Sequence, residues 1–391
     1  MTAPHGLFAA IMALALGGLL IGTGEFVSMS LLPALASSTG VSVPAAGSYI
    51  SAYAIGVVLG APAIAVMAAR APRKTVLIVL LAVVTAGNLA SSFAASHATL
   101  LAARFLAGVP HGAYYGVACL LAAAMVPDNK KAQAAGYVMS GLAAANVVGV
   151  PLGTWLGQAF GWRATFGAIG AGGGLSILLF MLYVPAVSAA AGASPMRELR
   201  GLRRPQLWLT LAVASIGFGG MFAVYSYITP TLVEVTGFEL ASVPLVLSLW
   251  GVGMIVGNFV GGWLADRALV PAIFGMLVWN AAFLALFSLV APSRSGTLVV
   301  LFLIGCGFAL VPALQVRLMN VAGEAQTLAA ALNHSAFNLS NALGAAVGGY
   351  AITQGAGWAS TGWVGAILAV LGVSLMALSA RKRGPGRGRQ D

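Results

Sequence analysis

Charged residues are scarce in this chain. Of its 391 residues, 7% are charged, whereas 60% are hydrophobic. An average soluble domain is about 25% charged, and the few polar side chains here could not cover the outside of a water-soluble fold. The composition therefore excludes a soluble enzyme, a nucleic-acid-binding protein and a disordered protein. It indicates a protein built largely of membrane-spanning helices.

Cysteine is nearly absent as well. Cys119 and Cys306 both lie in apolar stretches, where small core residues are expected rather than a disulfide or a metal site. The sequence also has no Walker motif for binding phosphates and no cluster of cysteine and histidine at metal-ligand spacing. We therefore expect no cofactor, and we do not expect ATP to drive the protein directly.

Long apolar segments, separated by charges, prolines and glycines, make up most of the chain. A helix needs about 20 apolar residues to cross a bilayer. The first segment is too long for the apolar part of a secretory signal and follows almost no basic residues, so we expect it to be retained. Twelve spans are predicted, at residues 7–34, 45–68, 75–95, 98–125, 132–158, 163–185, 206–233, 242–264, 270–291, 297–319, 325–353 and 359–380.

The basic residues predict the orientation of these spans. With the N-terminus in the cytoplasm, sixteen of the nineteen fall on the cytoplasmic side, only Arg163 and Arg294 fall on the outer side, and Arg104 falls within a span. An excess of lysine and arginine marks cytoplasmic loops, so both termini are predicted to be cytoplasmic. The net charge of +11 then reflects topology and suits contact with anionic lipid. No nucleic-acid partner is expected.

A polar interruption divides the chain at its centre. We predict a six-helix bundle in residues 1–185, a cytoplasmic linker at 186–205, a second six-helix bundle in 206–380 and a basic cytoplasmic tail at 381–391. These boundaries follow from the charges and from the lengths of the apolar segments.

The two halves also match each other when the chain is shifted by 197 positions, a test for internal repeats. The matches are Gly22 with Gly219, Pro33 with Pro230, Thr39-Gly40 with Thr236-Gly237, Gly56 with Gly253, Gly60 with Gly257 and Arg70 with Arg267. Parallel repeats of this kind place a substrate site at mid-membrane, between the halves.

Three short motifs carry a family resemblance. The loop after span 8 contains Gly262-Trp263-Leu264-Ala265-Asp266-Arg267, and its first-half copy is Met67-Ala68-Ala69-Arg70-Ala71-Pro72-Arg73-Lys74. Span 5 contains Gly149-Val150-Pro151-Leu152-Gly153. The chain resembles the major facilitator superfamily and is similar to its twelve-span drug:proton antiporters, in the branch of arabinose-efflux-permease-like and chloramphenicol-resistance-like exporters. The resemblance implies the major facilitator fold and a cytoplasmic gate at Arg70, Arg73, Asp266 and Arg267.

One acidic residue, Glu25, lies inside a predicted span, whereas the other seven lie in loops, in the tail or at span ends. A charged side chain at the centre of a membrane helix costs about 2.5–3.5 kcal/mol, so Glu25 is a functional candidate. The alternative is a protonated carboxyl group that hydrogen-bonds to a neighbouring helix.

Arg104, in span 4, is the only basic residue predicted to be clearly buried. Counting along spans 1 and 4 at about 1.5 Å per residue places Glu25 and Arg104 at similar depths. We therefore predict that they meet or share a water-filled cavity, and that together they couple transport to protons. The resemblance also implies an acid and an arginine at these places. The alternative for Arg104 is snorkelling to the outer headgroups.

Polar and aromatic side chains within the spans are the candidates for binding a substrate. The densest stripe lies in span 11, where residues three or four apart share a face, and amides there must face protein or water. Helix packing and interhelical hydrogen bonds are alternative explanations, and a histidine can also relay protons. The predicted substrate-binding residues are His111, Tyr114, Asn146, Tyr225, Asn333, Phe337, Asn338 and Asn341.

Together, the residues and the resemblance predict a proton-coupled exporter of a small organic compound or drug that works by alternating access. We expect a monomer in a bacterial inner membrane, with protons as the coupling ion. Export of a sugar, nucleoside or other metabolite is the alternative within the same fold. A multi-spanning membrane enzyme or receptor is a third hypothesis, against which the internal repeat and the paired loops argue.

Overall fold

The computed structural model describes residues 4–68, 71–127, 130–185, 204–322 and 326–381. Every regular element within these ranges is a helix, as predicted for an all-α membrane protein. The predicted gate residue Arg70, the linker at 186–203 and the tail from residue 382 onwards lie outside the described residues. The predictions made for Arg70, the linker and the tail are therefore not tested by the structure.

The first half contains spans 1 to 6. Span 1 is the helix Pro4–Ser30, and two short helices, Leu32–Thr39 and Val43–Ala46, connect it to span 2. The other helices of this half are Ser48–Met67 (span 2), Arg73–Ser92 (span 3), His97–Gly108 and His111–Ala124 (span 4), Lys131–Ala144 and Val150–Phe160 (span 5) and Trp162–Tyr183 (span 6).

The second half contains spans 7 to 12. A short 3₁₀ helix, Leu240–Ser242, leads into span 8, and another, Gly307–Ala309, lies within span 10. The other helices are Pro205–Gly217, Gly219–Ser226, Ile228–Pro230 and the π-helical turn Thr231–Val235 (span 7), Val243–Val290 (spans 8 and 9), Arg294–Cys306 and Leu310–Ala322 (span 10), Gln326–Ala351 with the π-helical turn Ile352–Ala356 (span 11) and Ser360–Arg381 (span 12).

Ten helical segments among the described residues are long and apolar enough to cross a membrane. One of them, Leu240–Val290, holds both span 8 and span 9, because the backbone leaves the helical conformation at Ala268 (φ −156°, ψ 78°). The helix Gln326–Ala351 supplies span 11. The predicted fold of twelve membrane helices is therefore confirmed.

In the first half, spans 4 and 5 are interrupted near the middle of the bundle. Span 4 breaks after Gly108 because Pro110 has no backbone N–H to continue the helix, and its second segment begins at His111. Span 5 widens into a π-helical turn at Ala145–Gly149, a feature that is frequent at functional sites. The two interruptions set the positions of His111 and Asn146.

The internal repeat appears in the helix packing. Gly60 brings span 2 against span 4, where a Cβ atom at Gly60 would strike the carbonyl oxygen of Val109. Gly257 brings span 8 against span 10 in the same way, with the carbonyl oxygen of Cys306 as its neighbour. Both pairs are related by the offset of 197 found in the sequence. Such close approach of backbones is the usual role of small residues in membrane helices.

Hydrogen bonds join the two halves near one end of the bundle. The hydroxyl group of Thr229 donates to the carbonyl oxygen of Ser30 at 2.7 Å. The side-chain amide of Gln158 donates to the carbonyl oxygen of Leu240 at 2.9 Å. These contacts link span 1 to span 7 and span 5 to span 8, at the end that the charge distribution assigns to the outside. The halves are packed together there.

Candidate functional site

The carboxylate of Glu25 lies between the two halves. The residue is 5% exposed, and it lies within span 1. Its Oε1 accepts a hydrogen bond from Asn341 Nδ2 at 3.3 Å, across from span 11, and its Oε2 lies 3.7 Å from Nδ1 of His111 in span 4. A buried carboxylate therefore contacts both halves at once, and its protonation state bears on the contact between them.

His111 is the next member of this cluster. It is 2% exposed, and the hydroxyl group of Tyr53 lies 2.9 Å from its Nδ1. Its ring centroid is 6.0 Å from that of His334, which belongs to the second half. The ring of Tyr115 stacks on His334, with centroids 5.4 Å apart. Spans 1, 2, 4 and 11 thus bring a carboxylate and two imidazoles into one row.

Arg104 lies beside Glu25 but bonds elsewhere. Its Nη2 donates to the carbonyl oxygen of Gly24 at 2.8 Å, and its guanidinium group lies over the ring of Tyr53 (4.6 Å) and that of Phe166 (5.1 Å). The side chain is fully buried, so the snorkelling alternative is wrong. Among the described residues, Nε and Nη1 of Arg104 have no hydrogen-bond partner. Its predicted role in proton coupling stays a prediction.

A small cavity lies between the halves, next to this cluster. Its single amide is Asn146, whose Nδ2 donates to the carbonyl oxygen of Leu142 at 3.0 Å. The Oδ1 of Asn146 is buried without a hydrogen-bond partner in the described part of the chain. The lining residues are Phe26, Asn146, Met221, Phe222, Tyr225, Trp250, Met254 and Phe308.

Aromatic rings dominate the cavity wall and contact each other across the two halves. Phe26, which follows Glu25 in span 1, stacks on Phe222 with centroids 6.2 Å apart and meets Tyr225 edge-on at 5.9 Å. Tyr225 in turn lies 4.9 Å from Trp250. Such a wall offers planar apolar surfaces and few hydrogen bonds, which suits a solute with an aromatic or apolar body.

The structure divides the predicted substrate-binding residues into three groups. Asn146 and Tyr225 line the cavity, while His111 and Asn341 contact Glu25. The remaining four make other contacts or are simply buried, and their role in binding stays a prediction. Tyr114 donates to the carbonyl oxygen of Leu14, and Asn338 donates to the carbonyl oxygen of His334. Phe337 packs edge-on against Phe218. Asn333 is 4% exposed.

Three of the predicted gate residues, Arg73, Asp266 and Arg267, are described, and they lie at the opposite end from the outer contacts. Arg73 donates to the carbonyl oxygen of Leu120 at 3.1 Å. The guanidinium carbon of Arg267 lies 3.6 Å from the centroid of the Trp263 ring. Asp266 is exposed. These contacts lie within one half each, and the gating role stays a prediction.

Two features of the structure were not predicted. Tyr53, which contacts both His111 and Arg104, carries no signal that separates it from other tyrosines in apolar runs. Arg317 is also fully buried, so the expectation that Arg104 is the only buried base is wrong. Its Nη2 donates to Ser379 Oγ at 2.7 Å, which means that span 12 supplies the polar partner that allows burial.

These features define a multi-pass helical membrane protein with a buried ionisable cluster and an aromatic cavity between two similar halves. A sequence model of the Major Facilitator Superfamily matches residues 14–333. The chain belongs to the Major Facilitator Superfamily, and it is a membrane transporter of small molecules rather than an enzyme.

Known proteins resemble it along nearly the whole chain. It is 40% identical over 374 residues to the inner membrane transport protein YdhP of Escherichia coli (strain K12), covering 95% of this chain and 96% of that protein. It is 32% identical over 334 residues to a chloramphenicol resistance protein of Streptomyces lividans, covering 83% and 84%. These relatives fit the branch that the motifs predicted.

One solved structure shares the fold. It is that of a bacterial homologue of the human lysosomal transporter Spinster in an inward-facing and unoccupied conformation, which superposes with a TM-score of 0.70 at 18% identity and covers 97% of this chain and 96% of its own. At this identity the likeness concerns the fold alone.

Proposed function

We propose that the protein exports small organic compounds from the cytoplasm across a bacterial inner membrane in exchange for protons. The observation that carries this proposal is the position of Glu25, a buried carboxylate that contacts span 4 through His111 and span 11 through Asn341. A group at this junction can change charge when the halves separate. The export direction draws support from the chloramphenicol resistance protein among the relatives.

Glu25 links proton binding to alternating access in this proposal. While the outer ends are closed, Asn341 holds the carboxylate from the second half, and a neutral carboxyl accepts that hydrogen bond less strongly than a charged one. Protonation from the outside and release to the cytoplasm therefore change how firmly the two halves hold each other. No cofactor takes part, and the monomer with both termini in the cytoplasm is the functional unit.

The lining of the cavity favours an apolar or aromatic compound over a sugar. It offers aromatic and methionine side chains with a single amide, whereas a sugar needs many hydrogen-bonding partners to replace its water. Its free space is about what a single water molecule needs, far below that of typical ligand pockets. The cavity must therefore widen when the inner ends of the halves move apart.

Proton release from the purified protein tests this function. Chloramphenicol and ethidium serve as organic probes, and glucose and uridine represent the alternative substrates. We expect at least one organic probe to release protons into a weakly buffered solution containing a pH indicator, and the Glu25→Gln variant to release none. Release with glucose or uridine alone would support the metabolite exporter instead. Absence of release with every probe would contradict proton coupling.

A further inference from the structure

Two histidines, one from each half, continue the row that begins at Glu25. His111 Nδ1 lies 3.7 Å from Glu25 Oε2, and the ring centroids of His111 and His334 are 6.0 Å apart. The coupling scheme above needs a path by which a proton reaches and leaves a carboxylate that is 5% exposed. Imidazoles are the side chains best suited to pass protons near neutral pH.

The row leads towards the end of the bundle that the charges assign to the cytoplasm. His334 precedes Asn341 by seven residues on the helix Gln326–Ala351, which is about 10 Å along the axis. Glu25 and His111 are buried, whereas His334 is partly exposed. Gly116, one residue beyond Tyr115 on span 4, also has open space where a side chain would lie. The His334 end is therefore the more accessible end of the row.

We propose that His111 and His334 carry protons between Glu25 and the cytoplasm. This rests on the proposed function. In the first step the O–H bond of protonated Glu25 breaks, an N–H bond forms at His111 Nδ1 and the carboxylate remains. In the second step the proton on His111 Nε2 passes to the ring of His334, which releases it to solvent. One proton leaves Glu25, one enters the cytoplasm, and rotation of the His111 ring restores its starting tautomer.

The groups around the two imidazoles fit this sequence. Tyr53 lies 2.9 Å from His111 Nδ1, and a hydroxyl group can donate to the bare nitrogen or accept from the protonated one. The other titratable or charged groups facing the row are Glu25 from span 1, Arg104 and Tyr115 from span 4, and the amide of Asn341 from span 11. Because His111 and His334 belong to different halves, the path is complete only while spans 4 and 11 are together.

The test follows Glu25 directly and needs no substrate. A rapid pH jump is applied to the purified full-length protein, and the carboxyl stretching band is recorded by time-resolved infrared spectroscopy. The band of Glu25 is identified by its loss in Glu25→Gln. We expect His334→Ala to slow the change of this band by about 100-fold, a usual contribution of a positioned acid or base. His111→Asn should slow it similarly.

Small-molecule rescue separates proton transfer from packing. Imidazole added to His334→Ala should restore the rate in proportion to its concentration, whereas 1,2,4-triazole, which has nearly the same size but is far less basic, should not. His97→Ala is the matched control, because His97 bonds to Tyr49 at the outer end of span 4 and should leave the rate unchanged.

Three outcomes would overturn either the proton relay or the proposed function. An unchanged rate in both His334→Ala and His111→Asn would overturn the relay while leaving Glu25 as the proton carrier. Equal rescue by imidazole and triazole would assign His334 a packing role. A carboxyl band that survives in Glu25→Gln, with no other band lost, would instead refute the proposed function itself.

Discussion

Replacing Asn341 with leucine removes the hydrogen bond that span 11 donates to the carboxylate of Glu25. An ordinary intramolecular hydrogen bond contributes about 0.5–1.5 kcal/mol. The contact joins the halves while their outer ends are closed, so its loss disfavours the closed arrangement. Since each 1.4 kcal/mol is a factor of ten, the equilibrium should shift towards outer opening by about 2- to 12-fold.

Spin labels at the outer ends measure this shift. Ser38 and Glu239 are exposed and belong to different halves, so Ser38→Cys and Glu239→Cys can carry labels after Cys119 and Cys306 are replaced by alanine. Pulsed electron resonance in lipid nanodiscs at neutral pH then gives the distance distribution. We expect the Asn341→Leu variant to gain a population at longer distance.

Asn338→Leu is the matched control for this experiment. Asn338 is as deeply buried as Asn341, but its amide donates to the carbonyl oxygen of His334 on its own helix. It should therefore leave the distribution close to that of the wild type. Identical distributions in wild type and Asn341→Leu would refute the reasoning, and an equal change in both variants would indicate general loosening of span 11.

Three further results are expected. Reporters active only in the cytoplasm should work when fused after Ala380 and between residues 190 and 195; activity only outside would refute the orientation. Gly253→Ala should lower the melting temperature in detergent, because its Cβ would strike the backbone of span 10 at a cost of about 1–3 kcal/mol, whereas Gly275→Ala, with open space, should not. Asp266→Asn should slow transport of a probe in vesicles while its binding stays measurable, and an equal loss of both would contradict a gating role.

Much of the fold could be predicted from the sequence because the bilayer leaves few choices. Helices must satisfy their own backbone hydrogen bonds in lipid, so apolar length alone located the spans. The offset of 197 predicted paired glycines, and Gly60 and Gly257 make equivalent backbone contacts. Glu25 stood out because a lone carboxylate in a span is costly.

Most of the cavity wall could not be predicted, because its residues look like lipid-facing ones. Trp250 and Phe308 line the cavity, yet in the sequence they resemble any aromatic residue in an apolar run. Arg104 was predicted at the correct depth, but its bond to the carbonyl oxygen of Gly24 depends on side-chain direction. The burial of Arg317 depends on Ser379, 62 residues away, which local patterns do not reveal.

The central claim is that Glu25 carries the proton that drives export. Its most direct test is transport in proteoliposomes that hold the purified protein and an imposed pH gradient, with ethidium and radiolabelled chloramphenicol as probes. The wild type should move a probe against its concentration gradient, and collapse of the pH gradient should abolish this movement. Glu25→Gln should still exchange the probe down its gradient but lose uphill transport, because an amide does not titrate. Uphill, gradient-dependent transport by Glu25→Gln at the wild-type rate would contradict the account.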